Sequence, residues 1–310
     1  MCNSDQSEML FITCVLIAGF TRTGLVGATA SEWTYEHQDQ WYPRICIEGP
    51  HQSPIALSTS VAEESSFTPF RTYGYKTQIP VIVQNNGHSV KIKPKNSKDK
   101  QEIHKGGMPD NYILDHLHFH WHSEHTMDGE RFPLEMHMVH YAARFESYEK
   151  ASKHTEEGGL AVFAVLFYLS PDDVEAFEPV IEAVRDIYEN VNHEKELNDF
   201  VMADFMPMDK SGFYRYNGSL TTPGCDEGII WTVFMHTLPI SKSQVDGFRM
   251  IRTSHHVQLT ENFRELQNLN DRPILIKYSP MKDSGSNYIK SKANMYLFAL
   301  LLLTISYLMR

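Results

Sequence analysis

The stretch that decides the fold runs from His116 to His140 and reads HLHFHWHSEHTMDGERFPLEMHMVH. Its first part alternates histidine with large apolar residues, and its second part, around His137, alternates in the same way. Since a β-strand points successive side chains to opposite faces, His118 and His120 share one face of a predicted strand. Polar residues and Gly129 between the two parts favour a reversal of the chain. The sequence therefore predicts two antiparallel strands that bring His137 opposite the pair.

Three histidines brought together in this way indicate a metal site. Three neutral imidazoles with a fourth position left open are typical of catalytic zinc, which lowers the pKa of a bound water into the neutral range. An isolated His-x-His pair is more often a pair of satisfied or exposed polar residues, and the chain contains 16 histidines. The second alternating run, with Glu135 beside His137, makes the metal site the better interpretation. We predict Zn²⁺ as the cofactor and three ligands: His118, His120 and His137.

The same stretch resembles the signature of the alpha-class carbonic anhydrases, which pairs an H-x-H strand with an E-x-H-x-V-H strand. The resemblance extends from about Trp33 to Ser279 and is to the secreted, GPI-anchored animal type. It implies a mainly β (α+β) fold, a single domain around a large, mostly antiparallel twisted central sheet with short peripheral helices. It also implies reversible hydration of carbon dioxide to bicarbonate and a proton through zinc-bound hydroxide, and hence a zinc lyase.

The resemblance also assigns catalytic roles. His88, in NNGHSV, corresponds to the family's proton relay, a role that suits an imidazole with a pKa near neutrality. Thr221 and Thr222, in LTTP, correspond to the family motif above the metal. In that motif the first Thr donates a hydrogen bond to a buried Glu, which is Glu124 here, and accepts one from the hydroxide because a carboxylate can only accept. The predicted catalytic set is His88, Thr221 and Glu124.

Carbon dioxide is apolar and needs an apolar wall beside the metal. By resemblance the substrate-binding residues are the two threonines and four side chains that would otherwise be interpreted as ordinary core: Thr221, Thr222, Val139, Val162, Leu220 and Trp231. The resemblance further implies that Glu135 accepts the outer N–H of His137 and so fixes its tautomer.

Two features depart from the family pattern. His116 stands where many members have Gln, which orients the first ligand, and a neutral imidazole can also accept that hydrogen bond. We therefore expect zinc to be kept. The segment between Trp121 and Glu124 is shorter than in cytosolic animal members, as it is in plant and bacterial members, and this predicts a changed rim.

Two further segments predict ordinary structure. The continuous apolar run Leu160–Leu169 is typical of a strand buried on both faces near the centre of a sheet. Residues 172–190 place apolar side chains on one helical face, and Pro171 with Asp172 marks the predicted start of that helix.

The N-terminal residues 1–30 are predicted to be a signal peptide. Met9–Phe20 is an apolar run of suitable length, and a cleavage-type A-T-A tripeptide ends at Ala30. No basic residue precedes the run, so translation from Met9 would give a more typical signal. Cys46 and Cys225 remain after cleavage, and similar secreted members join these positions by a disulfide, with two buried free thiols as the alternative.

The C-terminal residues 285–310 are predicted to be a GPI-attachment propeptide. Small residues around Ser284 precede a polar spacer and an apolar tail, Met295–Met309, which is short for a membrane helix. The predicted mature domain is 31–284, with Ser284 as the lipidation residue. The predicted location is the extracellular face of the plasma membrane, and the alternatives are a retained short C-terminal membrane helix or a secreted protein.

The composition bounds the partners. Of the 310 residues, 42% are hydrophobic and 22% charged, which supports a globular domain with a sizeable core. A formal net charge of −11 argues against a nucleic-acid partner. The expected partners are carbon dioxide and bicarbonate, the membrane through the lipid anchor, and bicarbonate or proton transporters as neighbours in pH regulation. We expect the chain to be a monomer.

Two other classes of function are weighed against the enzyme. A non-catalytic carbonic-anhydrase-like binding or adhesion module is the alternative, but such relatives have lost zinc ligands, and all three histidines are present here. A zinc peptidase of the HExxH type is excluded because that motif does not occur in the sequence.

Overall fold

The computed structural model describes residues 33–278, so the predicted signal peptide, Ser284 and the predicted propeptide lie outside the described residues. Strands dominate this part of the chain. In order they are β1 (Ala56–Leu57), β2 (Glu63–Glu64), β3 (Phe70–Tyr73), β4 (Ile79–Asn85), β5 (Val90–Pro94), β6 (Glu102–Lys105), β7 (Tyr112–Trp121), β8 (Thr126–Met127), β9 (Glu130–Arg131), β10 (Leu134–Ala142), β11 (Leu160–Ser170), β12 (Glu194–Phe200), β13 (Phe213–Ser219), β14 (Glu227–Phe234), β15 (Leu238–Ser241) and β16 (Leu275–Lys277).

Most strands belong to one mixed sheet of 13 strands with the order β12-β4-β5-β7-β10-β11-β14-β13-β16-β2. Off this path, β15 pairs with β11, β6 pairs with β7, and β3 pairs with β6, while β1, β8 and β9 form a separate small sheet. Most neighbouring pairs are antiparallel, and β11 with β14 is one of the parallel pairs. The predicted mainly β fold with a large, mostly antiparallel sheet is confirmed.

The two predicted histidine strands are β7 and β10, and they lie side by side in the centre of this sheet. They pair antiparallel, with His137 opposite His118 and Glu135 opposite His120. The predicted reversal between them contains the short hairpin of β8 and β9. The alternation of side chains thus separates a histidine face from an apolar face.

The apolar face of these strands builds the larger core. Its side chains are fully buried: Leu117, Phe119, Trp121, Met136 and Met138. Burying side chains of this size contributes about 1.5–3 kcal/mol each. This packing holds the strand pair in one register, because a slip by one residue would turn the apolar side chains to the other face.

The predicted central strand is β11, which lies between β10 and β14 and is buried from Leu160 to Phe167. Tyr168 and Leu169 are exposed, so only the last part of the predicted run leaves the core.

Helices are short and lie outside the sheet. The α-helices among residues 33–278 are α1 (Ile45–Glu48), α2 (Tyr148–Ala151), α3 (Glu178–Ile187) and α4 (Lys242–Phe248). The 3-10 helices there are Tyr35–Gln40, Ala143–Phe145, Thr155–Glu157, Glu175–Phe177 and Met202–Phe205. Over the same described range, no helix is long and apolar enough to span a membrane.

The helix predicted over residues 172–190 is shorter in the structure, and the predicted start was wrong. Val174 is extended because the side chain of Gln244 takes both of its backbone groups, at 3.1 Å and 2.8 Å. A 3-10 helix, Glu175–Phe177, follows Val174, and the α-helix begins at Glu178, where Pro179 occupies the first turn, a position that tolerates proline.

Candidate metal centre

The strand pair brings together the three predicted metal ligands. His118, His120 and His137 each offer one ligand atom, and these atoms all lie within 4.8 Å of one another. His120 and His137 are fully buried, whereas His118 is half-buried at the mouth of the site. Burial lowers the pKa of His118 and of His120, which keeps both imidazoles in the neutral form that binds metals.

The orientation of His120 is fixed by a residue that the sequence analysis missed. Its Nδ1–H donates to the backbone carbonyl of Asn262 at 2.7 Å, so Nε2 carries the lone pair. The Asn262 side chain is itself held by the backbone of β7, since it accepts from Trp121 N at 2.8 Å and donates to Phe119 O at 2.8 Å. Asn262 thereby aims the Nε2 lone pair of His120 at the cluster.

The orientation of His137 is fixed by Glu135. The Nε2–H of His137 donates to Glu135 Oε1 at 2.7 Å, which leaves Nδ1 for a metal. The same carboxylate accepts from the backbone and side chain of His125, at 2.8 Å and 2.7 Å. Burial alone would raise the pKa of Glu135, but His125 and His137 outweigh burial and hold it well below its usual range. An ionised carboxylate can only accept, so it sets the tautomers of both rings.

The hydrogen bonds of Glu135 continue, through His125, away from the three predicted ligands. With Nδ1–H committed to Glu135, His125 Nε2 accepts from the Tyr216 hydroxyl at 2.7 Å. That hydroxyl in turn lies 2.9 Å from Ser53 Oγ. His125, Glu135 and His137 form a second group that could hold a metal ion. In the structure their facing atoms already form hydrogen bonds with one another.

Unpaired buried polar atoms test whether a metal fits here. His120 Nε2 and Glu124 Oε2 are buried without a hydrogen-bond partner anywhere in residues 33–278, and so is the hydroxyl of Tyr35. Burial, followed by the charge of Glu124, raises the pKa of that phenol well above its usual range, so it stays a neutral donor. Buried polar groups are rarely left unsatisfied in folded proteins. The unpaired Nε2 lone pair of His120, beside two further histidines, therefore fits a bound metal ion. The unpaired oxygens of Glu124 and Tyr35 fit a polar ligand on that ion.

The predicted hydrogen bond between Thr221 and Glu124 is not formed in the structure. Glu124 Oε1 accepts from the backbone N–H of Arg264 at 2.8 Å, while Oε2 lies 3.8 Å from His137 Nδ1. Thr221 is buried at 5% exposure and Thr222 is half-buried. Oε2 is free to accept from a hydroxyl, so the Thr221–Glu124 pair stays a prediction.

The comparison with known families decides the affiliation of the chain. Residues 34–278 match the family described as eukaryotic-type carbonic anhydrase. The chain belongs to this carbonic anhydrase family. Among its relatives, carbonic anhydrase 4 of Rattus norvegicus is 32% identical over 79% of this chain and 84% of its own length. Carbonic anhydrase 15 of Mus musculus is 31% identical over 79% and 83%, and carbonic anhydrase 12 of Homo sapiens is 30% identical over 81% and 75%.

The carbonic anhydrase domain also brings together the predicted apolar wall. Val139 pairs with Val162 across β10 and β11, and Val162 pairs with Trp231 across β11 and β14. These three side chains are buried in one cluster against which Leu220 packs. The Trp231 ring lies 4.8 Å from the His137 ring, so the wall borders the metal ligands.

The predicted proton relay His88 lies on the turn between β4 and β5, half-buried. Its ring stacks on Trp33, with ring centroids 3.8 Å apart and an interplanar angle of 13°. This contact of Trp33 could not be predicted, because no sequence pattern links it to a residue 55 positions later. The relay function itself stays a prediction.

The predicted disulfide between Cys46 and Cys225 is confirmed in this carbonic anhydrase domain. Cys225 N donates to Thr222 O at 3.0 Å, so the bridge fastens the loop that carries both threonines. Arg264, fully buried, holds the other end by donating to the backbone carbonyls of Cys46 and Ser53. The bridge therefore ties α1 to the rim of the site.

His116 lies beside the first predicted ligand, as expected from its strand position. Its ring centroid is 5.4 Å from that of His118, at an interplanar angle of 29°. Its Nδ1 lies 2.7 Å from Asp115 Oδ2, a contact that the sequence analysis missed. The role of His116 in orienting His118 stays a prediction.

Proposed function

We propose that this chain is an active carbonic anhydrase that binds Zn²⁺ through His118, His120 and His137. The observation that carries the proposal is the convergence of three imidazole ligand atoms, with His120 Nε2 buried and unpaired. Zinc in such a site supplies a Lewis acid that lowers the pKa of a coordinated water and polarises bound oxygen. The reaction is the reversible conversion of carbon dioxide and water into bicarbonate and a proton.

Other groups around the proposed ligands bind carbon dioxide and orient the reacting oxygen. The wall formed by Val139, Val162 and Trp231 provides an apolar surface for carbon dioxide and excludes water from that side. The hydroxyl of Thr221 donates to Glu124 Oε2 and accepts from the reacting oxygen, which aims its lone pair at the substrate. Fixing the reacting atoms in this way lowers the entropic part of the barrier.

The released proton has to leave the cavity. The imidazole of His88 takes it up and passes it to solvent, because a histidine can accept and release a proton near neutral pH. The His88 ring stacks on Trp33, and this contact favours one orientation of the proposed relay.

The test is carbon dioxide hydration followed by stopped flow, together with the zinc content of the purified protein. We expect one zinc per chain and rapid hydration in the wild type, and loss of both in His118→Ala. His104→Ala is the matched control, because this histidine lies on the neighbouring strand β6 and contacts Glu102 rather than the cluster. Zinc without hydration would instead support a binding module, and well-folded protein without zinc would refute the proposal.

We further propose that the enzyme acts at the outer cell surface, attached by a GPI anchor at Ser284. The disulfide supports an oxidising compartment, since such bonds persist mainly outside the cytosol. Phosphatidylinositol-specific phospholipase C applied to intact cells should release the protein into the medium. Retention in the membrane would indicate a C-terminal helix, and protein found in the medium before treatment would indicate secretion.

The proposed setting also concerns its partners. A tethered enzyme that makes bicarbonate and protons would supply neighbouring transporters of these ions, and one chain provides all three proposed ligands. Light scattering of the purified protein should give the monomer mass. Slower pH recovery in cells that express His118→Ala, at equal transporter level, would support the coupling to transport.

A further inference from the structure

A β-bulge lies immediately before the first metal ligands. Val139 pairs with His116, but the next residue of β10, His140, pairs with Leu114, so Asp115 is the extra residue of β7. Consecutive side chains of a regular strand point to opposite faces. The bulge removes this restriction and turns Asp115 toward the face that carries the ligands, as bulges next to active sites often do.

The Asp115 carboxylate has a separate partner for each oxygen. Oδ2 lies 2.7 Å from His116 Nδ1, and Oδ1 lies 3.1 Å from the Lys93 ammonium on β5. The Asp115 side chain is 9% exposed, whereas half of the Lys93 side chain is exposed. Burial raises the pKa of Asp115, but the contacts with His116 and Lys93 outweigh it and lower the pKa to about 2.

The ionised carboxylate dictates the tautomer of His116. It can only accept, so His116 carries its proton on Nδ1 and keeps the lone pair on Nε2. Two imidazoles joined edge to edge by one N–H···N hydrogen bond have centroids on the order of 5 Å apart. The 5.4 Å between the His116 and His118 rings is close to that separation, and their planes are only 29° apart. The described residues show this ring contact but no hydrogen bond between the two rings, so the bond from the outer N–H of His118 to His116 Nε2 is part of the inference.

We propose that Asp115 is a positioning residue that acts on the metal ligand His118 through His116. Lys93 holds the carboxylate, the carboxylate fixes the tautomer of the ring, and the ring accepts a hydrogen bond from the ligand. The inference rests on the proposed function, because it takes His118 to bind zinc.

The first test compares zinc affinities by competition with a chelating dye. Asp115→Ala frees the His116 tautomer, and we expect the affinity to fall about 10–100-fold, as for other groups that orient metal ligands. Asp99→Ala is the control, because this carboxylate accepts from Asn96 at 2.9 Å and, among the described residues, is not one of the groups that join Lys93, Asp115 and His116. Equal affinities of wild type and Asp115→Ala would overturn the inference.

A second background separates positioning from general support of the strand. In His116→Gln the amide oxygen can accept from His118 without help from Asp115. Adding Asp115→Ala to this background should then change the zinc affinity by less than about twofold. A loss as large as in the wild-type background would show that Asp115 supports the strand itself, and the inference would fail.

A spectroscopic readout works without metal. Imidazole ¹⁵N NMR of the zinc-free protein should show the Nδ1–H tautomer of His116 in the wild type and loss of this preference in Asp115→Ala. A wild type that binds zinc but holds the Nε2–H tautomer would overturn the inference alone. A wild type that shows the Nδ1–H tautomer but has no affinity for zinc would overturn the proposed function.

Discussion

The deep side and the mouth side of the proposed metal centre orient their histidines differently. On the deep side a carboxylate contacts the ligand directly, and every member of the chain is buried: His137, Glu135, His125 and Tyr216. On the mouth side a neutral ring stands between ligand and carboxylate, and the chain ends at a half-exposed amine: His118, His116, Asp115 and Lys93. The deep side is therefore part of the folded core, and we expect changes on the mouth side to disturb the fold less.

The largest expected effect is a loss of folding stability in acid, where a buried histidine resists protonation only in the folded protein. His140 lies on β10, the strand that also carries Glu135 and His137. Burial lowers the pKa of His140 from 6.5 to about 3. The unfolded chain binds this proton below pH 6.5 and the folded protein does not, so stability falls as the pH drops from 6.5 toward 3. The loss amounts to about 4–5 kcal/mol. Urea unfolding of zinc-free protein at pH 7, 5.5 and 4 measures it, and His140→Gln should flatten this slope.

The next effect is on the stability of the zinc-free protein. His137→Ala removes one partner of the buried Glu135, and we expect the free energy of unfolding to fall by about 3 kcal/mol. His118→Ala removes a half-buried ring and should cost less than about 1 kcal/mol. Both variants lose zinc, so urea unfolding without metal isolates the difference. Equal losses would remove the distinction between the two sides.

The mouth side has its own acid response at lower pH. The pKa of Asp115 is lowered from 3.8 to about 2, so its ionised form stabilises the folded protein above pH 3.8. This stabilisation, about 2 kcal/mol, is lost as the pH falls from 3.8 toward 2. Asp115→Asn should lack this step while keeping the His140 step at higher pH. A single unfolding curve series from pH 7 to pH 2 resolves the two windows.

The last expected effect concerns zinc affinity on the deep side. Glu135→Gln keeps the size of the side chain but replaces one accepting oxygen by an amide donor. We expect zinc to bind about 10–100-fold more weakly, which is about 1.4–2.8 kcal/mol. Glu227→Gln is the matched control, because it also neutralises a buried carboxylate, and Glu227 accepts from Gln52 at 2.8 Å instead of from a predicted ligand. Unchanged affinity in Glu135→Gln would show that His125 alone suffices to hold the network.

The sequence predicted the regular part of the two histidine strands better than the bulge beside it. Alternation placed His118 and His120 on one face of β7, and a period of two is a local property that survives in the structure. Alternation also places Asp115 on the face opposite His116, which is wrong because the bulge adds one residue to the strand. A bulge depends on pairing with another strand, so the local pattern could not reveal it.

Long-range contacts limited the prediction in the same way. Asn262 orients His120 from 142 positions away, and no spacing rule connects the two residues. His125 was within the quoted stretch and next to Glu124, but its link to Tyr216 depends on β13. The helix start at Glu178 also depended on a distant side chain, that of Gln244.

The carbonyl of Asn262 has a consequence for the order in which the protein is made. The ribosome releases the chain from its N-terminus, so all three histidines are synthesised long before Asn262 appears. Until then the hydrogen bond that orients the ring of His120 cannot form, and the metal site of the nascent chain is incomplete. We expect zinc to be acquired only after nearly the whole domain has emerged, and a chain that ends before Asn262 to bind zinc weakly in a chelator competition assay.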